Sequence, residues 1–375
     1  MKILVIRFQA IGDVMLTSVI CNTLKRSFPD SQLDYMVYEV SAPLFDYHPY
    51  IDNVIPVSPQ ERKNPFRYFK KLRKIAKSKY DIIIDANSTG KSELVCLFSR
   101  HAKFRIGREK KHRGIFYTHK VPLAELQGDK IEQRLQLLTP LEKAGLPIKW
   151  GADMCVALTK SDKQHARQLL DFVEIDANRP LIIFSVSSRE PQKQWRRDYM
   201  KRVAEHCLEV LNAQIVLYFG ALHEQEEVGL FHRELNWHGD VVSSIKTSNL
   251  RELAALMSHC DMFVGNECGP RHIAQALKVP SVAIFSPSAE KSVWLPSQSD
   301  RYQGVEWQDV EETPFKEKGG YEFGDTEYYR RYNSITPSHV IPLVDHVFEK
   351  YVRPKTRLCS ENIDPRSDWM LFARE

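Results

Sequence analysis

The stretch DMFVGNECGPRHIAQALKVPSVAIFS, residues 261–286, carries the pattern that decides the fold. An apolar run at each end flanks a polar turn and an amphipathic segment. Gly265 and Gly269 let the backbone bend, and Pro270 suits the first position of a helix. The stretch therefore predicts a strand, a turn, a helix and a second parallel strand, which together form one βαβ unit.

The same alternation extends over the rest of the chain, and it restarts near residue 180. Strands are expected at 2–8, 33–38, 53–57, 81–86, 103–107, 180–186, 213–220, 240–244, 261–265 and 281–286. We therefore expect an α/β protein of two doubly wound, Rossmann-like domains, 1–165 and 166–350, followed by a tail at 351–375. Ligands bind such sheets at the carboxyl ends of the strands, so the strand-to-helix turns should hold the chemistry.

Composition indicates a soluble globular protein, since 43% of the 375 residues are hydrophobic and 27% are charged. No run approaches the roughly 18 apolar residues that a membrane-spanning helix needs. Arg7 and Asp13 interrupt the apolar N-terminus, so we interpret it as a strand and expect a cytoplasmic protein. The seven cysteines form no CxxC pair and the histidines no HExxH motif. This pattern fits reduced thiols and disfavours a protein-built zinc site.

The net charge of +5 hides an asymmetry between the two halves. Residues 1–150 contain 26 Lys and Arg against 15 Asp and Glu, while the remainder contains 27 against 33. Most of the excess lies at 61–79 and 100–114. A solvated helix face is one interpretation. A surface for phosphates or anionic lipid headgroups is the other. Nucleic acid would also satisfy the charge, but no recognition motif accompanies it.

Two turns in the first half invite functional interpretations. In RFQAIGDVMLTS (7–18), Gly12 permits a tight turn, but GxGxxG is absent. Asp13 is either a helix N-cap or a carboxylate that takes a proton from a bound hydroxyl. DANSTGKSE (85–93) resembles a P-loop, but Asp85 stands where that motif needs its first glycine. We therefore reject a P-loop.

The loop SVSSREPQKQWRRDYM (185–200) gathers hydroxyls and positive charge just before a helix. Its members are Ser185, Ser187, Ser188, Arg189 and Lys193. This composition suits an anionic group. An ordinary polar loop, with Trp195 packed on the domain, is the alternative.

The turn at 267–272 combines exposed backbone N–H groups with polar side chains. The amides at the start of a helix form a cradle for anions. His272 either donates a hydrogen bond to phosphate or sugar, or is a satisfied structural residue. Cys268 is most simply a small residue, although a helix N-terminus would lower the pKa of its thiol.

These motifs resemble those of the lipopolysaccharide heptosyltransferases, the family 9 glycosyltransferases. RFQAIGDVMLTS matches the family's opening strand–LGD–helix, and SSREPQKQW matches its loop ending in Lys-x-Trp-Pro. GNECGPRHIAQALKVP matches its signature Gly-Asn-Asp-Ser/Thr-Gly-Pro-x-His-x-Ala-x-Ala-Leu-x-x-Pro. The likeness covers about residues 1–350.

The resemblance implies the GT-B fold, in which the two domains face each other across a cleft. It implies an inverting transfer of heptose, or a related sugar, from ADP-heptose to the phosphorylated inner core or lipid A acceptor of lipopolysaccharide or lipooligosaccharide. The second domain would bind the donor and the first the acceptor. The chain has no Asp-x-Asp, so no obligatory metal or other cofactor is implied. The expected location is the cytoplasmic face of the inner membrane, held peripherally by anionic lipid, with no nucleic-acid partner.

The resemblance also implies roles for single residues. Asp13 would be the general base. The donor-binding residues would be Ser187, Ser188, Lys193, Glu267, Cys268, Gly269 and His272. The acceptor-binding residues would be Gly12, Arg105, Arg108, Lys110 and Lys111.

Three positions depart from the family pattern. Glu267 replaces Asp, Cys268 replaces Ser or Thr, and Arg196 replaces Pro. The first two changes either retune donor choice or weaken catalysis. The second case leaves open a catalytically weak GT-B protein that binds a nucleotide-sugar or an anionic glycolipid.

Overall fold

A computed structural model of the chain shows how these segments fold. It describes residues 1–110, 114–220, 222–297, 299–311 and 326–353. The predicted tail is therefore described only as far as residue 353, and Lys111 lies outside the described residues.

The first half forms a six-stranded sheet in which every pairing is parallel. Its strands are β1 (Lys2–Ile6), β2 (Gln32–Tyr38), β3 (Asn53–Val57), β4 (Ile82–Asp85), β5 (Phe104–Arg108) and β6 (His119–Val121). The order across the sheet is β3-β2-β1-β4-β5-β6. This is the doubly wound order, in which the chain adds strands outward on one side from β1 to β3 and on the other side from β4 to β6. The switch between the two sides lies between β1 and β4.

The second half repeats the arrangement. Its strands are β7 (Leu181–Ser185), β8 (Gln214–Leu217), β9 (Val241–Val242), β10 (Met262–Asn266), β11 (Ser281–Ile284) and β12 (Tyr302–Val305). The order is β12-β11-β10-β7-β8-β9, again parallel throughout. The predicted α/β fold class is confirmed. The chain reversal of this sheet lies between β7 and β10, where ligands are expected.

Helices connect the strands and cover the sheets. Within the described residues they are α1 (Ile11–Ser27), α2 (Pro59–Lys63), α3 (Pro65–Lys77), α4 (Gly90–Phe98), α5 (Lys130–Leu135), α6 (Thr139–Lys143), α7 (Lys160–Phe172), α8 (Arg197–Glu209), α9 (Leu222–Glu234), α10 (Leu250–Met257), α11 (Gly269–Ala276), α12 (Lys291–Trp294), α13 (Thr326–Ser334) and α14 (Pro337–Tyr351). None of them is both long enough and apolar enough to cross a bilayer.

The structure differs from the sequence-based expectation at the sheet edges and in one helix. The edge strands β6 and β12 were not predicted, because HKV and YQGV lack an apolar run. The helix expected at 130–146 is divided into α5 and α6 by a short 3₁₀ turn at Gln136–Leu138. Pro140, early in α6, cannot donate the backbone bond that a continuous helix would need.

One apolar core runs through both halves of the molecule. It begins on one face of the first sheet, at residues such as Val5, and passes through α1 at Val19. It continues through Ile273 of α11 and Leu253 of α10 to Ile183 on the second sheet. Burying one such side chain is worth roughly 1.5–3 kcal/mol relative to exposure. The two sheets are thus joined by a packed layer that includes α1 and α11.

Arg251 bonds to residues of both halves, next to the packed layer that includes α1 and α11. Its guanidinium pairs with Asp162 of α7 at 2.6 Å and donates to the carbonyl of Ala157 at 2.9 Å. It also donates to the carbonyl of Asp46 in the first half, at 3.0 Å. Helix α7 spans the predicted domain boundary at 165/166, which stays a prediction.

Candidate functional site

Two helix N-termini meet at the places where the two sheets reverse direction. Helix α1 follows β1, and α11 follows β10. A Cβ atom on Gly12 would overlap the ring of His272. A Cβ on Gly269 would lie 2.8 Å from the Cβ of Ile11. The two glycines therefore permit the close approach of the first turns of α1 and α11.

Asp13 lies in the first turn of α1 and is held by two arginines. Its Oδ2 lies 2.6 Å from Nη2 of Arg7, and its Oδ1 lies 2.7 Å from Nη2 of Arg134. Ala10, not Asp13, occupies the N-cap position, so the N-cap interpretation is wrong. Burial alone would raise the pKa of Asp13, but the charges of Arg7 and Arg134 outweigh it and hold this pKa below its ordinary value. The carboxylate is ionised at neutral pH, and its side chain keeps 18% of its surface exposed.

Arg108 and Lys130 complete a cationic cluster around Asp13, which we define as Arg7, Arg108, Lys130 and Arg134. Burial lowers the pKa of Arg134 to about 10, and the charge of Arg7 adds to this effect. Burial and the charge of Arg7 lower the pKa of Arg108. Burial and the charge of Arg134 lower the pKa of Lys130. Mutual repulsion of this kind is typical of a site prepared for an anion.

The turn after β4 positions two members of the cationic cluster. The carbonyl of Ala86 accepts a bond from Arg7 at 2.9 Å and another from Arg108 at 3.1 Å. The turn is fixed by Asp85, whose carboxylate accepts from the backbone N–H groups of Asn87 and Ser88 and from the hydroxyl of Tyr117. Those amides are therefore engaged by Asp85 rather than free for a phosphate, which agrees with the rejection of a P-loop.

In the second half, the turn after β7 presents Lys193. Its Nζ lies 3.3 Å from Oε2 of Glu190 and 3.9 Å from Oε1 of Glu267. Ser286 donates to the same Glu267 oxygen at 3.0 Å. Burial raises the pKa of Glu267, and the charge of Lys193 opposes that rise. Lys193 and Glu267 thus lie side by side at the carboxyl ends of β7 and β10.

Helix α13 and the neighbouring Ile335 fix the loop that carries Lys193. Tyr328 and Tyr332 donate to the carbonyls of Gln192 and Lys193, each at 3.0 Å. Trp195 donates from its indole to the carbonyl of Ile335 and from its backbone to Asn266. The packing of Trp195 belongs to the alternative interpretation of this loop, an ordinary polar loop, whereas neither interpretation included the two tyrosines. They lie 135 residues or more further along the chain, and the sequence between offers no signal that links them.

Helix α11 is buried from Pro270 onward, while Gly269 and the preceding Cys268 are half-buried. Cys268 is the N-cap, and its sulfur lies 3.5 Å from Oγ of Ser185. Burial raises the pKa of Cys268 to about 11, so the expected lowering by the helix N-terminus is wrong. Burial and the charge of Arg271 hold the pKa of His272 well below its ordinary value. The His272 ring is neutral and packs at 5.8 Å from that of Trp294.

Of the remaining predicted site residues, some lie at this site and others bond elsewhere. Ser187 is buried, and Ser188 accepts a bond from the backbone of Glu190. Arg108 belongs to the cationic cluster. Arg105 instead donates to the carbonyls of Phe116, Arg100 and Ala102, while Lys110 is half-buried just after β5. The donor and acceptor assignments stay predictions.

Sequence reasoning missed Arg7, Lys130 and Arg134. A signal for two of them was present. Arg7 directly follows the apolar strand β1 at its carboxyl end, where ligands bind. Arg134 occupies an apolar-face position at helical spacing from Ile131 and Leu138. Charged residues at such positions are almost never buried without a partner.

Comparison with known proteins places this geometry in a family. A model described as glycosyltransferase family 9 (heptosyltransferase) matches residues 67–319. The chain is 23% identical over 309 residues to lipopolysaccharide heptosyltransferase 3 of Escherichia coli, covering 78% of this chain and 85% of that one.

Two solved structures share the fold. A family 9 glycosyltransferase from Veillonella parvula superimposes with a TM-score of 0.76 at 21% identity, covering 93% of this chain and 97% of that one. The E. coli ADP-heptose lipopolysaccharide heptosyltransferase II gives a TM-score of 0.70 at 21% identity, with coverage of 93% and 99%. The facing-domain architecture expected from the sequence is confirmed.

Proposed function

The chain belongs to glycosyltransferase family 9, and on this premise we propose that it moves heptose, or a related sugar, from ADP-heptose to the phosphorylated inner core or lipid A acceptor of lipopolysaccharide or lipooligosaccharide. Its relatives are lipopolysaccharide heptosyltransferases. One observation supports the proposal most strongly: the ionised Asp13 carboxylate lies in the first turn of α1, which abuts the first turn of α11.

On the acceptor side, Asp13 acts as the general base. It takes the proton of the acceptor hydroxyl as that oxygen bonds to the anomeric carbon of the donor. The bond from this carbon to the diphosphate breaks on the opposite face, and ADP leaves with its electron pair. A carboxylate that is already ionised at neutral pH is in the correct protonation state for this step.

On the donor side, Lys193 and the N-terminus of α11 stabilise the departing diphosphate. Lys193 supplies a charge-assisted contact, and the first backbone N–H groups of α11 supply the favourable end of the helix dipole. Ser187, Ser188, Cys268, Gly269 and His272 line the same turns. Glu267, beside Lys193, faces the sugar. No obligatory metal is required in this scheme.

A direct assay tests the proposal. ADP-heptose and other nucleotide-sugars are each mixed with truncated core acceptors, and ADP release and glycosylated product are measured. We expect transfer with ADP-heptose and inversion at the anomeric carbon. Nucleotide binding without turnover on any acceptor would select the alternative of a binding protein.

We also propose that the protein binds anionic lipid at the cytoplasmic face of the inner membrane through α3. This helix buries Tyr68, Leu72 and Ile75 and exposes its other side. Its exposed basic residues are Arg67, Lys70, Arg73, Lys74 and Lys77. Phe66, in its first turn, is 85% exposed, and Phe69 is 43% exposed. No acidic residue occurs in this helix, so it complements an anionic surface.

The position of α3 fits a lipid-linked acceptor. Its N-terminus follows β3 after the short helix α2, so we place Phe66 near the edge of the sheet where the strands end and the acceptor would enter. Sedimentation with vesicles of anionic and of zwitterionic lipid tests this. We expect salt-sensitive binding to anionic vesicles that Phe66→Ala weakens. Phe172→Ala is the matched control, because Phe172 is 86% exposed on α7. Equal binding by both variants would contradict the assignment.

A further inference from the structure

The side-chain amide of Asn266 joins three segments of the second half. Asn266 is the last residue of β10 and is fully buried. Its Nδ2 donates to the carbonyls of Ser185 and Val186, at 3.3 and 3.0 Å. Its Oδ1 accepts from the backbone N–H of Trp195 at 2.9 Å and from the hydroxyl of Tyr332 at 3.4 Å. All four hydrogen-bonding positions of this amide are therefore occupied.

Tyr332 connects this amide to the loop that carries Lys193. The hydroxyl of Tyr332 also donates to the carbonyl of Lys193 at 3.0 Å, so one hydroxyl serves two acceptors. One turn earlier, on the same face of α13, Tyr328 donates to the carbonyl of Gln192 at 3.0 Å. Two successive carbonyls at the end of the 3₁₀ turn Pro191–Lys193 are thus bound by side chains of one helix.

Packing alone does not explain the hydroxyl groups of these two tyrosines. Both rings pack on the face of the second sheet that carries Phe184 and Val264, and both are at most 2% exposed. Phenylalanine would fill the same space, and a buried hydroxyl is costly unless it is hydrogen-bonded. The two hydroxyls bind carbonyls 136 and 139 residues earlier in the chain. Their bonds therefore fix the position of the Lys193 loop.

Helix α13 is itself anchored to the second half of the molecule. The guanidinium of Arg331 lies 4.1 Å from the ring centroid of Trp307, which is 1% exposed. Arg330 pairs with Glu311 at 3.0 Å. Functional side chains are held precisely when the groups behind them are fixed by packing and hydrogen bonds of their own. Helix α13 therefore provides a fixed support for the loop.

We propose that Tyr332 is a positioning residue for the transfer, because it holds the backbone from which the Lys193 ammonium reaches the leaving diphosphate. The inference rests on the proposed function, in which Lys193 meets the charge that develops on that diphosphate. In this role Tyr332 acts only through Lys193. The Lys193 side chain keeps 26% of its surface exposed, so its placement depends on the backbone that carries it.

The size of the expected effect follows from the chemistry of the leaving group. A cation stabilises developing charge best when it is already in place and does not move during the reaction. Misplacement by about 1 Å can cost roughly 10²-fold in rate. Loss of one of the bonds that hold the loop should cost less than that, since Tyr328 and Trp195 still hold it.

Tyr332→Phe tests the proposal, because it removes one oxygen and keeps the ring in the core. We expect kcat to fall about tenfold, while the KM values for donor and acceptor stay within about threefold of wild type. Tyr329→Phe is the matched control, since Tyr329 lies on the same helix and is 43% exposed. Its kcat should equal that of the wild type. A Tyr332→Phe enzyme as fast as this control would overturn the proposal.

A double-mutant cycle separates positioning from a general loss of structure. If Tyr332 acts only through Lys193, Tyr332→Phe should change kcat less than about twofold in an enzyme that already carries Lys193→Met. A general loosening of the fold would lower kcat by the same factor in both backgrounds, and equal factors would overturn the proposal. Tyr328→Phe, which removes the bond to the neighbouring carbonyl, provides a second cycle with the same criterion.

The cycle also distinguishes failure of this inference from failure of the proposed function. Thermal unfolding of each variant verifies that the enzymes compared are folded at the assay temperature. Transfer by the wild type, with equal factors in the two backgrounds, would overturn the positioning role alone. Absence of transfer from any nucleotide-sugar by the wild type would overturn both.

Discussion

Gly12 and His272 meet across the two domains with no room for a side chain between them. A Cβ on Gly12 would overlap the imidazole ring, which is itself fixed against Arg271 and Trp294. The closeness of α1 and α11 depends on this contact. In the proposed function α1 carries the base and α11 the diphosphate cradle, so the contact would set the distance across which the reaction takes place.

Gly12→Ala should therefore impair transfer without unfolding the protein. Alanine is favourable within a helix, but here its methyl group would push His272, and with it α11, away. We expect a loss of at least tenfold in kcat/KM. Gly90→Ala is the control, because nothing lies within 4 Å of a Cβ at that helical position. The double variant Gly12→Ala/His272→Ala should recover part of the activity, and no recovery would argue against the steric explanation.

Lys193→Met should slow the chemical step more than it weakens acceptor binding. In the proposed function the ammonium meets the charge that develops on the leaving diphosphate, and removal of one such contact costs roughly 10²–10³-fold in kcat. Steady-state kinetics with ADP-heptose varied would measure this. Lys201→Met is a suitable control, since Lys201 pairs with Glu205 on the surface of α8. A change confined to the acceptor KM would place Lys193 outside the donor site.

Cys268→Ser should leave kcat within about threefold of wild type. With its pKa raised to about 11, the Cys268 thiol remains protonated at neutral pH and is no nucleophile. The serine restores the hydroxyl usual in the family and can still reach Ser185. Alkylation by iodoacetamide at pH 7, followed by mass spectrometry, should leave Cys268 unmodified. Rapid loss of activity with alkylation of this residue would show that the thiol is reactive.

Arg251→Ala should lower the free energy of unfolding by about 1–3 kcal/mol, because it leaves partly buried polar groups of both domains unsatisfied. Denaturant unfolding would measure the change, with Arg167→Ala as the exposed control. Burial raises the pKa of Asp162, but hydrogen bonds from Arg251 and Thr159 outweigh it and hold this pKa at about 2. This pairing therefore stabilises the wild type above pH 4 and is lost as the pH falls toward 2. The variant should lose the part of that dependence that Arg251 supplies, while the bonds from Thr159 retain the rest.

The sequence predicted the parts of the fold that have a local cause. Runs such as KILVIRF form buried central strands because both faces of a parallel sheet are covered. The edge strand β6, HKV, pairs on one side only and needs no apolar run, so periodicity could not reveal it.

The same distinction between local and distant causes applies to the site residues. Asp13, Lys193 and Glu267 follow strands and were found from the turns that contain them. Arg134 lies 121 residues from Asp13 in the chain, and only the packing of α5 against α1 brings them together. The raised pKa of Cys268 likewise depends on burial, which a helix N-terminus in the sequence does not disclose.

The most direct test of the account compares Asp13→Asn with the wild type in transfer from ADP-heptose to a phosphorylated core acceptor. Asparagine keeps the shape but cannot accept the proton, so we expect kcat to fall by about 10²–10⁴-fold. The ADP-induced thermal shift should remain, which would show that the donor site is intact. Asp30→Asn, at an exposed turn, should behave as wild type. If Asp13→Asn transfers heptose as fast as the wild type, Asp13 is not the base and the account is contradicted.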